Sequence, residues 1–261
     1  MTTPDLCSAN KELGIKVRNF IMNVPSAKEE SITDYLVWKW RELDAKFNYI
    51  NVKTFTRQQE NTKTGADFEL ELWLVGRTQC LPLLFQAKKF TQPFAGYVGK
   101  LNYPRNTQAQ LTKLIAYAKT NRLLPFYSIY THAQASSSLC GGGGSLETGI
   151  YMINAQEMKK FADRAHYGSK VSLAALLSRS NPFHCMFCCP MDNKVSYFQN
   201  YFRSQAGSSL TREINAIPGY VRQLLFIGEQ RVENTSVSRE SSSYDYPPVR
   251  TVGVYDLRHL K

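Results

Sequence analysis

The chain has 261 residues, 43% hydrophobic and 20% charged, proportions of a packed globule that exclude a disordered tail. Thirty-two Lys plus Arg against 21 Asp plus Glu leave a net charge of +11, which points to a polyanionic partner and away from a neutral ligand. No apolar run approaches the roughly 18 residues of a membrane span, and Met1 to Asp5 lack a signal-peptide pattern.

A cytoplasmic protein with no membrane partner is therefore expected, its six cysteines (Cys7, Cys80, Cys140, Cys185, Cys188, Cys189) kept as thiols by a reducing compartment. In chain order, a short helix is predicted over Leu13 to Met22. Ser26 and Glu29 then have capping-box spacing, and Ile32, Tyr35, Leu36, Lys39, Trp40 and Leu43 follow at helical period, which predicts a helix from about Ala27 to Asp44. Three strands follow as a meander: Tyr49 to Phe55, Ala66 to Val75 and Cys80 to Lys88, the last two joined by a turn at Gly76-Arg77 or Arg77-Thr78.

Thr107 can cap a helix to about Asn121 with Leu111, Leu114, Ile115 and Ala118 as its buried stripe, and Leu124 to Tyr130 reads as a strand. The order is α-β-β-β-α-β. Residues 133 to 149, with Gly141 to Gly144, are predicted as a mobile loop because ordering four glycines costs much backbone entropy. A strand over Gly149 to Ile153 and a helix over Ala155 to Ala165 come next. Farther on, apolar periodicity marks Leu173 to Leu177, Tyr197 to Phe202 and Tyr220 to Ile227. Asn234 to Tyr244 is a Ser-rich linker, and Val252 to Leu257 is predicted as a last strand.

Charge is unevenly placed. The 75 residues between Glu71 and Glu147 hold no Asp or Glu, while Arg77, Lys88, Lys89, Lys100, Arg105, Lys113, Lys119 and Arg122 all lie there. A surface built from this stretch gathers phosphates and releases their counterions; Lys89, Lys100, Arg105 and Lys113 are the candidate nucleic-acid contacts.

Chemistry is concentrated just upstream. Strand alternation places Asp67, Glu69 and Glu71 on one face and Phe68, Leu70 and Leu72 on the other, while Gln86 and Lys88 share a face of the partner strand. With either turn, Asp67 lies opposite Gln86 or Lys88, so the three come together. A carboxylate, an amide oxygen and an ammonium are the parts that hold a divalent cation and orient a water for phosphodiester hydrolysis. Glu30, in the first turn of the preceding helix, is the candidate second carboxylate.

These residues resemble a known superfamily. A carboxylate on the first core helix, Gly65-Ala66-Asp67 opening a strand and Gln86-Ala87-Lys88 closing the next are similar to the PD-(D/E)XK restriction-endonuclease-like proteins in their Q-x-K variant, over about residues 26 to 130. More narrowly, Glu29 to Asp34, Lys63 to Asp67, Gln86 to Lys88 and Leu123 to Tyr127 resemble an uncharacterised bacterial family of such nuclease-like proteins.

The resemblance implies an α/β fold: a restriction-endonuclease-like αβββαβ core with a mixed sheet flanked by helices. It divides the chain into an N-terminal helix (1–25), a nuclease core (26–169) and an α-rich C-terminal extension (170–261). It implies Mg or Mn held by Asp67, Glu30, the Gln86 side-chain oxygen and the Ala87 carbonyl, with Lys88 positioning water and stabilising phosphoryl charge. Gln86 stands where an acid is more usual, and Ala66 where a proline is.

The expected activity is metal-dependent endonuclease action on double-stranded DNA, RNA remaining an alternative, by a homodimer in bacterial defence, under a regulatory protein or second-messenger trigger. The competing readings are a catalytically inactive DNA-binding module and a regulated partner-binding subunit. His184, Cys185, Cys188 and Cys189 include a C-x-x-C without a second ligand pair, which fits buried cysteines better than zinc.

Overall fold

The structure, a computed structural model, describes residues 6–47, 50–54, 68–91, 107–135, 147–166, 171–188, 190–191, 195–196, 211–233 and 249–258. Their helices are α1 (Leu6–Asn23), α2 (Glu29–Phe47), α3 (Thr107–Asn121), α4 (Ala155–His166), α5 (Leu173–Ser178), α6 (Cys185–Cys188) and α7 (Gly219–Glu233). The strands are β1 (Ile50–Thr54), β2 (Phe68–Val75), β3 (Gln79–Lys89), β4 (Leu124–Tyr130), β5 (Ile150–Asn154), β6 (Asn181–Pro182), β7 (Pro190–Met191), β8 (Val195–Ser196), β9 (Arg212–Glu213) and β10 (Val249–Asp256). The expected loop over 136–146, the aromatic segment over 197–202 and the linker over 234–244 lie outside the described residues.

Among the described residues one mixed sheet runs β1-β10-β2-β3-β4-β5-β6, with β9 beside the start of β3. β2 and β3 are antiparallel in the register Leu70↔Phe85 to Val75↔Cys80, which is that of an Arg77-Thr78 turn, and Gly76 N–H bonds the carbonyl of Gln79 at 2.9 Å. β4 lies parallel to β3, as a strand reached through a crossover helix does. One expectation is corrected: the three strands after α2 do not form a meander. β10 is inserted between β1 and β2, antiparallel to the first and parallel to the second. The last strand is thus central to the sheet.

Helices cover both faces. On one, Leu13 and Val17 of α1 and Ile32, Leu36 and Trp40 of α2 pack on Leu72, Leu83, Phe85, Tyr130 and Tyr255. On the other, Leu111 and Leu114 of α3, Met158 of α4 and Leu224 of α7 pack on Trp73, Leu84, Tyr127 and Ile153. Because both sides are buried, β3 is apolar almost without interruption from Cys80 to Phe85. Gly253 admits Trp40 to the sheet, since a Cβ there would meet Leu72 Cδ1 at 3.0 Å and Trp40 Cζ3 at 3.7 Å.

The cysteine expectation is also corrected. Cys7 is disulfide-bonded, whereas Cys80 and Cys185 are free. α1 packs beside α6 far along the chain, a juxtaposition that residue spacing does not reveal. Among the described residues no helix is long and apolar enough to cross a membrane.

Candidate active site

The β2–β3 ladder closes at Leu70↔Phe85, and β3 continues beyond it along β4 with Gln86↔Tyr127, Ala87↔Ser128, Lys88↔Ile129 and Lys89↔Tyr130. Directly opposed residues project from the same side. Gln86 and Lys88 therefore share the face of Tyr127 and Ile129, under the α3 layer, as their spacing predicts. Ala87 and Lys89 point to the α2 layer. Gln86 is only 4% exposed, and its side-chain oxygen has no hydrogen-bond partner. Lys88 is half-buried at the end of the strand. Asp67 lies outside the described residues.

The start of α2 is tied to the rims of four strands. The Lys89 backbone N–H donates to Glu29 Oε1 at 3.2 Å, and its ammonium donates to the carbonyls of Pro25 (2.5 Å) and Ala27 (2.8 Å). Glu29, expected to close a capping box with Ser26, is thus a tertiary acceptor, and Lys89, expected on nucleic acid, anchors α2 to β3. Thr33 Oγ1 lies 3.0 Å from the Tyr130 hydroxyl. Arg250 at the head of β10 donates to both oxygens of Asp34 at 2.6 Å and reaches Glu69 Oε2 at 3.5 Å. Burial disfavours the charged form of that guanidinium, but Glu69, Asp34 and Glu30 together more than offset it. Glu30 thus stands within electrostatic reach of Arg250 on the α2 side of the sheet, whereas Gln86 and Lys88 project from the opposite face.

The expectation that Glu69 and Glu71 share a face is corrected. Glu69 turns to Arg250 and α2, whereas Glu71 turns to α7. The β2–β10 ladder has Val249↔Phe68 and Thr251↔Leu70 but no Arg250↔Glu69 rung, and the β2–β3 ladder ends at Leu70, so alternation is broken there. Glu71 is 1% exposed and accepts the Trp73 indole N–H at 2.6 Å and the Tyr220 hydroxyl proton. Burial pushes its carboxyl above the usual range, the Tyr220 and Trp73 bonds and the Arg212 charge pulling it back in part. Arg212 sits 5.1 Å over the Trp73 ring.

Of the other expected residues, Lys113 is exposed on the outer face of α3, while Lys100 and Arg105 are outside the described set. At the C-x-x-C, burial raises the Cys185 thiol to about 12 and lowers His184 to about 4, so both are neutral near pH 7. Among the described residues no group of three or more His, Cys, Asp or Glu side chains is arranged to hold a metal ion. Sequence reasoning missed Glu71 as a buried acid, and Arg250, which reaches the rim only through the insertion of β10.

The fold and rim define an α/β protein with a mixed, helix-flanked sheet whose polar groups gather at the C-terminal ends of β3 and β4. Residues 6–250 match a family of unknown function, DUF6615, and the chain belongs to it. No curated protein and no solved structure matches the chain.

Proposed function

We propose that the protein is a metal-dependent nuclease that hydrolyses phosphodiester bonds, with double-stranded DNA as its substrate. The observation that carries the reading is the pairing of Gln86 and Lys88 on one face of β3 beyond the last β2 rung, with the Gln86 oxygen buried and unpartnered. A buried acceptor without a donor fits a hard cation, which takes neutral oxygens. Asp67 supplies the negative charge, the Gln86 oxygen and Ala87 carbonyl complete the set, and Glu30 assists across the rim. Mg or Mn bound there supplies charge neutralisation for the phosphoryl oxygens and acidifies water. Lys88 orients the attacking water and pairs with phosphoryl oxygens, while Lys113 and the basic segment around Lys100 and Arg105 hold the backbone.

A second reading, a DNA-binding module without catalysis, is favoured by Gln86 in place of an acid, which lowers the charge at the site. A plasmid-cleavage titration separates the two. The nuclease reading expects nicking with Mg or Mn, none with chelator, and loss in Asp67→Ala and Lys88→Ala with DNA binding kept. Binding that weakens steeply with salt, but no cleavage under either metal, selects the module. Homodimerisation, a role in bacterial defence and control by a regulator belong to the same proposal.

A further inference from the structure

We propose that the outer surface of α1 and α2 is where two copies of this chain meet across a two-fold axis, with Trp38 as the anchor. The inference gives a surface to the homodimer of the nuclease reading, but it rests on exposure and charge and does not need the chain to cleave.

Five large hydrophobic side chains are exposed among the described residues, and four of them, Ile15, Met22, Val24 and Trp38, lie on α1, α2 and the turn between them. Helical period gives three of these their direction. Leu13, Val17 and Ile21 are the stripe that α1 turns to the sheet, and Ile32, Leu36 and Trp40 are that of α2; Ile15, Met22 and Trp38 fall on the other sides. Trp38 is 54% exposed. It ends a run of rings that crosses the seam of the two helices: Phe20 stacks on Tyr35 at 4.4 Å and 5°, and Tyr35 meets Trp38 edge-on at 5.9 Å and 67°. The Lys39 ammonium stands 4.0 Å from the centroid of the Trp38 ring and 2.8 Å from Glu42 Oε2. Single apolar residues scattered over a surface need no partner, whereas packed rings ending in an open Trp, with a polar rim, have the make-up of an interface centre.

Charge selects the occupant. The chain carries +11, yet α1 has three bases to one acid and α2 five acids to three bases, so the two helices together are neutral. A polyanion is drawn instead to the acid-free stretch that bears Lys113. Two strongly basic chains, by contrast, approach each other with least repulsion through a neutral surface. The net +2 of α1 and −2 of α2 are also complementary. A two-fold axis that lays α1 of one copy along α2 of the other sets opposite charges together twice, which is the self-complementarity a symmetric contact requires. This layer covers the sheet face opposite the one from which Gln86 and Lys88 project, so burying it leaves that site open.

The test is sedimentation equilibrium of the full chain. The wild type should be a dimer whose melting temperature rises with concentration. Trp38→Glu should weaken dimerisation about 30-fold or more, the loss of a central anchor, with the far-UV circular dichroism of the monomer unchanged because the position is exposed and Glu is a good helix former. Met22→Glu, on the other helix, should act in the same direction, so the result does not hang on one variant. Phe226→Glu, the same change at an exposed ring of α7, should leave the dimer intact. Unchanged dimerisation in both Trp38→Glu and Met22→Glu, or equal loss in Phe226→Glu, overturns this surface and leaves a homodimer through another one. A wild type that stays monomeric at every concentration overturns the surface and the homodimer together. Plasmid cleavage with Mg or Mn is scored separately: a dimer that fails to cleave overturns the nuclease reading and leaves this interface standing.

Discussion

Tyr220→Phe probes the join between α7 and the sheet. The substitution keeps the ring, whose edge meets Trp73 at 6.5 Å and 81°, and removes only the proton that Glu71 accepts. A hydrogen bond to an ionised group contributes about 1.5–3 kcal/mol and one between neutral groups about 0.5–1.5 kcal/mol. Which figure applies depends on the charge of Glu71, so the cost must vary with pH. Burial raises the folded carboxyl above its unfolded value of 4.5, and the Tyr220 bond counters part of that rise.

Below pH 4.5 the acid is neutral in both states and contributes no pH dependence. As pH climbs, the unfolded chain ionises first, so the folded state loses stability until pH passes the folded value. Removing the phenol proton lifts that value further and enlarges the loss. The destabilisation should therefore be about 1 kcal/mol near pH 4 and should grow by about 1–2 kcal/mol once pH has climbed past the folded value of Glu71 and the wild-type carboxyl is ionised. Urea unfolding followed by Trp fluorescence measures it, with unchanged slope confirming a stability effect. In a Glu71→Gln background the amide cannot ionise, and the pH dependence of the Tyr220→Phe cost should vanish. A cost that stays constant up to the highest pH at which the Glu71 protein remains folded refutes the buried, ionisable pair.

Three further outcomes follow from the structure. Gly149→Ala should destabilise by more than about 2 kcal/mol in urea, because its Cβ would lie 2.3 Å from Arg18 N and 2.7 Å from Arg18 Cα, backbone that cannot step aside; a variant as stable as wild type contradicts the α1 contact. Arg250→Met removes the cation beside Glu69, whose side chain is 10% exposed, and should cost about 1–2 kcal/mol at pH 7, with Arg250→Lys restoring only part because one ammonium cannot hold Asp34 and Glu69 at once as the two guanidinium nitrogens do; full rescue by Lys argues against that geometry. Lys113→Glu should weaken DNA binding and lower the slope of log affinity against log salt by about one or more, and an unchanged slope removes this helix face from the interface.

The sequence made local structure legible where a single period dominates. Thr107–Asn121 and Leu124–Tyr130 coincide with the expected helix and strand, and the register that follows from Arg77-Thr78 puts Gln86 and Lys88 on one face. It was less informative wherever distant segments meet. Val249–Asp256 reads as a strand, but nothing local says that it enters between β1 and β2, because parallel pairing is chosen by the core and not by neighbours in the chain. That insertion brings Arg250 to Glu69 and breaks the alternation that would have kept Glu69 beside Glu71. Glu71 reads as a surface acid until α7 closes over it with Tyr220. Of the candidate site, the amide and the amine were visible as a pair on one face of β3.

A manganese-soaked crystal, read by anomalous scattering, tests the nuclease reading most directly. The result expected is one peak about 2.1–2.2 Å from the Gln86 side-chain oxygen, shared with an Asp67 carboxylate oxygen and absent in Asp67→Ala. Manganese seated among Glu30, Asp34 and Glu69, or no peak near Gln86 at saturating metal, would contradict it.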